Sequence, residues 1–401
     1  MPRSSRRVPV LGPLVEFLRT EAAGGAVLLV AAGVALVWAN VAPASYHDVW
    51  TATLRVGTGR AAIELDVQHW VNDGLMAMFF FVVGLEIKRE LVEGELRDSR
   101  TAALPAIAAL GGMVVPALLY VAWTAGTPAR DGWGIPMATD IAFAVGVLAL
   151  LGSRVSSAVK LFVLTLAIVD DIGAIIVIAL FYSDGIDLRW LCGALVVVVA
   201  IVLTPRVTSN PLAYAPLALA LWVCTYESGV HATLAGVTLG LLTPTLARDG
   251  SRPLDRLEHR LHPVASFVVI PLFALANAGI VVSAGALSEA FGSRVTWAVL
   301  TGLVVGKFTG VVGATLLGTR LGVGRLPNGM TVRELLGAGV VAGIGFTVSL
   351  FISDLAFGGL EAVLNDTKIG VLVASVVAGG VAFAVLAGPR SRRVPEESSR
   401  T

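Results

Sequence analysis

The amino-acid sequence predicts an all-α polytopic membrane protein with twelve transmembrane helices. Three observations support this: the composition, the number of apolar segments and the distribution of basic residues. Of the 401 residues, 56% are hydrophobic and 14% are charged, whereas a soluble domain carries about 25% charged residues. The net charge of +1 gives no indication of a nucleic-acid partner. We therefore expect one helical bundle in lipid.

Twelve apolar segments are candidates for spanning helices, each of which needs roughly 20 residues. They cover residues 22–40, 70–88, 102–123, 134–151, 158–182, 190–204, 211–226, 229–244, 263–285, 295–318, 334–357 and 367–388. With twelve helices and both termini cytoplasmic, 22 Lys and Arg residues fall on the cytoplasmic side and six on the external side. This asymmetry is typical of membrane proteins. Only Glu227, Ser228 and Gly229 separate segments seven and eight, but joining the two would destroy the asymmetry.

The segments outside the bundle are short. We predict a basic cytoplasmic arm at residues 1–21, a single transmembrane domain at 22–388, and a disordered cytoplasmic tail at 389–401. The first apolar segment is longer than the roughly 7–15 residues of a signal-peptide core, so we expect an uncleaved helix. In the longest external loop, Thr58 and Gly59 lie between two strand-like stretches, which predicts a small β-hairpin.

Two adjacent acids, Asp170 and Asp171, are the strongest functional signal in the sequence. The fifth helix is expected to begin near Lys160, which places them roughly 15 Å into a core about 30 Å thick. Two full negative charges this close repel strongly in an apolar medium, so one carboxylate should hold a proton near physiological pH. A bare monovalent cation relieves the same repulsion, and protons and cations would then compete. The alternative is structural, with one acid in an ion pair and the other in a cap.

Two further helices bring polar groups to a similar depth, and a third brings a pair of glycines. Lys307 is expected to pair with one of the acids or to compensate helix dipoles, although snorkelling is the alternative. Asp140 follows Pro136, which can interrupt the fourth helix, so its carboxylate suits the positive ends of broken half-helices. The Thr139 hydroxyl would bind a cation or its own backbone. The glycines in residues 343–345 predict either close packing or an unwound segment.

A second group of ionisable residues is expected at the cytoplasmic ends of the second and ninth helices. Histidine changes its charge between about pH 5 and 8, so a cluster that contains it is a candidate pH sensor. Runs of charge are more commonly a solvated surface, and on the residues alone that interpretation is favoured. The members of this cluster are Glu86, Arg89, Glu90, Glu258, His259 and His262.

Seven motifs, taken in order, closely resemble those of the bacterial NhaA-type Na⁺/H⁺ antiporters. The resemblance extends from about residue 16 to residue 388, and the ordered set is far more specific than any single motif. The motifs are Gly84-Leu85-Glu86-Ile87-Lys88-Arg89-Glu90, Ala138-Thr139-Asp140-Ile141-Ala142-Phe143, Ala167-Ile168-Val169-Asp170-Asp171-Ile172-Gly173-Ala174, Ser228-Gly229-Val230-His231-Ala232-Thr233, Phe273-Ala274-Leu275-Ala276-Asn277-Ala278-Gly279, Gly306-Lys307 and Gly343-Ile344-Gly345-Phe346-Thr347.

The resemblance implies an electrogenic antiporter that moves two protons in for each Na⁺ or Li⁺ out. Helices 3–5 and 10–12 would form inverted repeats, with helices four and eleven broken and crossed at mid-membrane. Asp170 and Asp171 would bind the cation and the protons, and we place Thr139 in the same cation site. Asp140 and Lys307 would compensate the half-helix dipoles. Lys307 would pair with Asp170 in the cation-free state.

The resemblance also implies pH activation through the residues at 86–90 and 258–262. It implies a bacterial inner membrane location with both termini cytoplasmic, and a homodimer supported by the external hairpin. We expect a secondary active transporter for sodium and pH homeostasis rather than an enzyme. No cofactor is expected, and the partners would be the transported ions and the lipid bilayer.

Other classes of function compete with antiport. A symporter or uniporter, for instance one that carries Na⁺ with an organic anion, needs additional polar groups for its substrate, and the sequence shows no such cluster. An intramembrane aspartyl protease needs two aspartates that face one water, which the adjacent Asp170 and Asp171 cannot do from one helix. Asp140 with Asp170 could do so in principle, but Lys307 and the lack of a Gly-x-Gly-Asp motif argue against it. Composition alone does not exclude a receptor or a channel.

Overall fold

The computed structural model describes residues 11–57, 62–183, 185–206, 214–247, 249–327 and 329–388, and these are mostly helical. Each of the twelve predicted apolar segments contains a helix. The α-helices are α1 (Leu11–Val41), α2 (Pro43–Thr51), α3 (Val67–His69), α4 (Met76–Val92), α5 (Ser99–Thr124), α6 (Ile141–Leu150), α7 (Ser157–Phe181), α8 (Leu188–Leu203), α9 (Tyr214–Glu227), α10 (Thr233–Leu242), α11 (Pro253–Val264), α12 (Ile270–Asn277), α13 (Ala284–Gly292), α14 (Arg294–Thr301), α15 (Lys307–Arg320), α16 (Val332–Val341), α17 (Phe346–Phe357) and α18 (Glu361–Ala387). Three π-helical segments, Trp70–Leu75, Ala265–Val269 and Gly302–Gly306, join α3 to α4, α11 to α12 and α14 to α15.

Length and composition identify which of these helices can cross a bilayer. In the described ranges, seven helical stretches are long and apolar enough, and an eighth is added if the bent pair Pro128–Met137 and α6 is one span. The helices α8 and α10 are apolar but shorter, and α9 has 14 residues. The chain is therefore a multi-pass membrane protein, whereas the count of twelve spanning helices stays a prediction.

The predicted hairpin loop contains two short strands, β1 (Thr53–Val56) and β2 (Ile63–Asp66). They pair antiparallel, with Thr53 opposite Asp66 and Val56 opposite Ile63. The predicted turn residues Thr58 and Gly59 lie outside the described residues, as do residues 1–10 of the predicted arm and the whole predicted tail at 389–401. We call the end of the bundle that carries these strands the hairpin end, and the opposite end, where α1 begins, the basic end.

Two helical segments are interrupted at positions that touch each other. The 3-10 helix Pro128–Met137 is bent by 42° from α6, and residues 342–345 separate α16 from α17. The Asp140 N–H donates to the Ile344 carbonyl oxygen at 2.7 Å, which joins the two breaks. A glycine is needed at position 343, because a Cβ there would lie 2.5 Å from the Leu303 carbonyl oxygen. The backbone of this segment is therefore unwound, which is one of the two alternatives that the sequence left open. Gly343 also permits close packing, which is the other.

A buried amide network closes the hairpin end of the bundle. The Asn277 side-chain amide donates to Asn72 Oδ1 at 2.8 Å, and Asn72 Nδ2 donates to Asp354 Oδ2 at 2.7 Å. Gln68 Nε2 donates to Asn277 Oδ1 at 3.0 Å. Asn72 is 4% exposed and Asn277 is fully buried. Since buried polar groups are costly without partners, these bonds fix the segment before α4 against α12 and α17.

We expect Asn72→Ala to lower the stability of the protein, because it leaves Asn277 and Asp354 without one of their partners. An unsatisfied buried group costs about 1–3 kcal/mol. Thermal unfolding of the purified protein in detergent measures the effect. Asn365→Ala is the control, since Asn365 is an exposed amide at the same end. Equal unfolding temperatures for the two variants would show that the network contributes nothing.

Candidate cation and proton site

Lys307 and Asp170 form an ion pair in the interior of the bundle. Lys307 Nζ lies 2.7 Å from Asp170 Oδ2, and both side chains are completely buried. Lys307 begins α15 directly after the π-helical segment Gly302–Gly306. This helix packs closely on α5, because a Cβ at Gly310 would lie 2.2 Å from the Gly111 carbonyl oxygen. Small residues at this contact let the two backbones approach, which brings the Lys307 amine to α7.

The neighbouring acid, Asp171, has no such partner. It is 6% exposed, and in the described ranges no side chain or backbone group forms a hydrogen bond or ion pair with its carboxylate. The second oxygen of Asp170, Oδ1, is buried and has no hydrogen-bond partner among the described residues. Three of the four carboxylate oxygens on this turn of α7 are therefore unpaired, and a proton or a cation would satisfy them.

Asp140 joins the amino-terminal ends of two half-helices. Its Oδ1 accepts from the Phe143 N–H at 2.9 Å, which caps α6. Its Oδ2 accepts from the Thr347 N–H at 2.9 Å and from the Thr347 hydroxyl at 2.6 Å, in the first turn of α17. A carboxylate is favourable at a helix amino terminus because the unpaired N–H groups carry partial positive charge. The Asp140 carboxylate therefore accepts hydrogen bonds at the amino-terminal ends of both α6 and α17.

Thr139 links Lys307 to the carboxyl end of α16, in the second interrupted segment. Its hydroxyl accepts from Lys307 Nζ at 3.0 Å and donates to the Ala342 carbonyl oxygen at 2.9 Å. Ala342 is the cap at the carboxyl end of α16, where partial negative charge accumulates. The hydroxyl thus bonds to the backbone of the second broken helix rather than to its own. Through Thr139, the Lys307 ammonium faces the negative end of α16.

Most of the second group predicted from the sequence comes together at the basic end. Arg89 pairs with Glu258 and lies 3.8 Å from Glu90. His262 Nε2 lies 3.5 Å from Glu86 Oε1. Glu86 and Glu258 are 9% and 6% exposed, so the cluster is not the solvated surface that charge runs usually form. His259 is exposed, and within the described ranges it has no partner.

Glu21 also belongs to this cluster, although it falls within the arm predicted for residues 1–21. It lies in α1, is 4% exposed, and its Oε1 lies 2.8 Å from His262 Nε2. It also accepts from the Ser266 hydroxyl at 3.1 Å. The sequence signal for a buried Glu21 is weak, because an acid directly before an apolar run is also typical of a solvated helix start. The structure differs because α1 begins at Leu11, earlier than residue 22.

One small cavity joins the two groups of ionisable residues. Its volume is about 40 Å³, which is room for a few ordered waters or one ion. Asp171, Thr139 and Asp140 line it at one side, and Glu86 and His262 at the other. No group of three or more His, Cys, Asp or Glu side chains in the described ranges has the geometry to hold a metal ion.

Comparison with known proteins identifies the relatives of this chain. The family described as Na⁺/H⁺ antiporter 1 matches residues 15–386. A protein of Rhodococcus jostii named Na(+)/H(+) antiporter NhaA 2 is 46% identical over 385 residues, covering 94% of this chain and 93% of the relative. A protein of Escherichia coli O1:K1 named Na(+)/H(+) antiporter NhaA is 43% identical over 378 residues, covering 93% and 97% of the two chains. A protein of Anaeromyxobacter with the same name is 44% identical over 434 residues, covering 98% and 93%.

Proposed function

Because the chain belongs to the Na⁺/H⁺ antiporter 1 family of NhaA-type antiporters, we propose that it exchanges Na⁺ or Li⁺ for protons across the bacterial inner membrane. Asp170 and Asp171 bind the cation and the protons in turn, with Thr139 beside them. The observation that carries this proposal is the pair of adjacent buried acids, of which only Asp170 has a cationic partner among the described residues. No cofactor is needed, since binding and conformational change are sufficient for exchange.

We propose the following order of events at the site. In the cation-free state Lys307 neutralises Asp170, and Asp171 holds a proton, so the three groups together are neutral. When Na⁺ binds between the two carboxylates, Asp171 releases its proton and Asp170 separates from Lys307. An ammonium left buried without a counter-ion is costly, so Lys307 also releases a proton. This order of events corresponds to the exchange of two protons for one Na⁺ that the resemblance to NhaA-type antiporters implies, and such transport would be electrogenic.

The second cluster supports regulation by pH. His262 lies between carboxylates at the end of the cavity that leads to Asp171. Its protonation near neutral pH changes the charge along this cavity. We propose that the residues of this cluster, including Glu90 and His259, set the pH range in which the cation reaches the site. We also propose cytoplasmic termini and a homodimer in which the β1–β2 hairpin takes part.

We expect His262→Ala to shift the pH profile of exchange with little loss of the maximal rate, because His262 lines the cavity but does not contact Asp170 or Asp171. The measurement is Na⁺-dependent proton movement in everted vesicles over a range of pH. His47→Ala is the matched control, since His47 is an exposed histidine in α2, outside this cluster. An unchanged pH profile of exchange in His262→Ala would refute the proposed pH-sensing role of His262.

The exchange itself is tested in vesicles that contain the wild-type protein. The vesicles are acidified inside, Na⁺ or Li⁺ is added, and the recovery of a quenched pH dye is recorded. Antiport predicts recovery with Na⁺ or Li⁺ and none with choline. Carrying out the assay with and without a membrane potential tests whether the transport is electrogenic, because only electrogenic exchange responds to voltage. Absence of recovery in vesicles with folded protein would refute the proposed function.

A further inference from the structure

Glu21 is buried in a place where a lone carboxylate is costly. It lies in α1 and is 4% exposed. Its Oε1 accepts from the Ser266 hydroxyl at 3.1 Å and pairs with His262 Nε2 at 2.8 Å. Both partners belong to the chain around the π-helical segment Ala265–Val269. A buried carboxylate with two directed contacts is held in one orientation.

The imidazole of His262 is shared unequally by two acids. Glu21 Oε1 is 2.8 Å from His262 Nε2, whereas Glu86 Oε1 is 3.5 Å from the same atom. The charged groups that face His262 are Glu21 on α1, Glu86 and Arg89 on α4, and Glu258 on its own helix. Arg89 pairs with Glu258 and not with the other two acids. His262 is therefore the main positive partner for both Glu21 and Glu86.

The cavity next to this cluster has an excess of acidic groups. Glu21, Glu86 and Asp171 all line it, and His262 is the basic side chain on its wall. Asp171 is more than nine-tenths buried and lines the cavity, and its carboxylate has no partner in the part of the chain that the structure describes. An acidic cavity with apolar walls concentrates positive charge. A cation or proton that moves between the basic end and Asp171 would pass Glu86.

We propose that Glu21, Glu86 and His262 form an entry subsite for monovalent cations and protons, and that Glu21 is its positioning residue. Glu21 draws the imidazole of His262 toward itself and leaves Glu86 less compensated. The Glu86 carboxylate is then available to a cation on its way to Asp171. This inference rests on the proposed exchange function and adds to it a residue and an intermediate binding position.

The test is Glu21→Gln, which keeps the shape and the bond from Ser266 but removes the charge. His262 then pairs with Glu86 alone, so the entry subsite binds cations less well. We expect the KM for Na⁺ to rise roughly fivefold, the size of one partly screened charge contact, with a smaller change in the maximal rate. The pH profile should move toward acid, because an imidazolium that loses one carboxylate holds its proton less tightly.

A double-mutant cycle shows whether Glu21 acts through His262. In the His262→Ala background, Glu21→Gln should no longer raise the KM or shift the pH profile as it does in the wild-type background. The effects of the two substitutions are then not additive. Additive effects would overturn the positioning role. Glu21→Asp keeps the charge but shortens the side chain. We expect its KM for Na⁺ and its pH profile to lie between those of wild type and Glu21→Gln. If Glu21→Gln does not fold, a KM and pH profile of Glu21→Asp equal to wild type would overturn the proposal.

The control separates this inference from the proposed function. Glu95→Gln removes an exposed acid at the same end of the bundle and should behave as wild type. If wild-type vesicles show no Na⁺-dependent proton movement, the proposed function fails. If wild type exchanges ions and Glu21→Gln has the same KM and pH profile, only the entry subsite fails. A loss of maximal rate at every pH with an unchanged KM would show a merely structural role for Glu21.

Discussion

Asp171→Asn is expected to abolish Na⁺-dependent proton movement, with a loss of at least about 100-fold. The amide cannot ionise, so the site can no longer release a proton when Na⁺ arrives, and it lacks the negative charge that offsets removal of the cation from water. The substitution keeps the shape of the side chain. Because Asp171 has no hydrogen-bond partner in the described ranges, the protein should remain folded. The measurement is dye recovery in everted vesicles with protein amounts matched.

Asp249→Asn is the matched control for this experiment. Asp249 is an exposed acid in a loop at the basic end, and its replacement should leave exchange unchanged. Any Na⁺-dependent exchange in Asp171→Asn that is comparable to the control would remove Asp171 from the transport site. Loss of exchange in both variants would instead point to a general effect of surface charge on the assay.

Lys307→Met is expected to give the largest loss of stability, and the loss should depend on pH. It leaves the completely buried carboxylate of Asp170 without its ammonium partner, and breaking one side of a buried ion pair costs about 3–5 kcal/mol. At acid pH the carboxylate can take up a proton, so the cost is smaller there. At alkaline pH the charge stays and the cost is larger. Thermal unfolding in detergent at several pH values measures this difference.

The double variant Lys307→Met with Asp170→Asn separates charge from packing. It removes both charges, so stability should return toward that of wild type and lose its dependence on pH. Added Na⁺ should stabilise Lys307→Met, where the Asp170 carboxylate remains, more than the double variant. A pH-independent loss of stability in Lys307→Met that the second substitution does not relieve would show that Lys307 acts through packing alone.

The sequence was informative about the centre of the bundle because depth along a helix can be counted. Asp170, Lys307 and Asp140 were assigned to one level from the expected helix ends, and the structure brings them to the touching breaks. Proline at 136 and the glycines of residues 343–345 are local signals, and both lie at or beside these breaks. The choice of Asp170 rather than Asp171 as the partner of Lys307 came from the family resemblance, because residue spacing gives no relative rotation of two helices.

The periphery was less predictable, for physical reasons. Residues 1–21 were predicted to form the arm because the apolar segment starts at residue 22, and only the packing of α1 on the Ser266 region reveals that Glu21 is buried. The exposure of His259 follows from the rotation of α11, which spacing alone does not determine. The helices α8, α9 and α10 are short, so their position in the bundle depends on packing with neighbouring helices and cannot be predicted from their length. The two oxygens of Asp140 are occupied by helix ends, which argues against an aspartyl protease dyad with Asp170.

The competition between Na⁺ and protons is tested most directly by measuring Na⁺ binding to the purified wild-type protein at several pH values. Calorimetry in buffers of different ionisation enthalpy gives both the Kd and the number of protons released per Na⁺ bound. If both ions use the Asp170 and Asp171 carboxylates, the Kd must rise as the pH falls, approaching about tenfold per pH unit for each proton displaced. We expect two protons to be released per Na⁺ bound to the wild-type protein, and no Na⁺ to bind to Asp171→Asn. A Kd that is constant across pH, with no proton released, would contradict it.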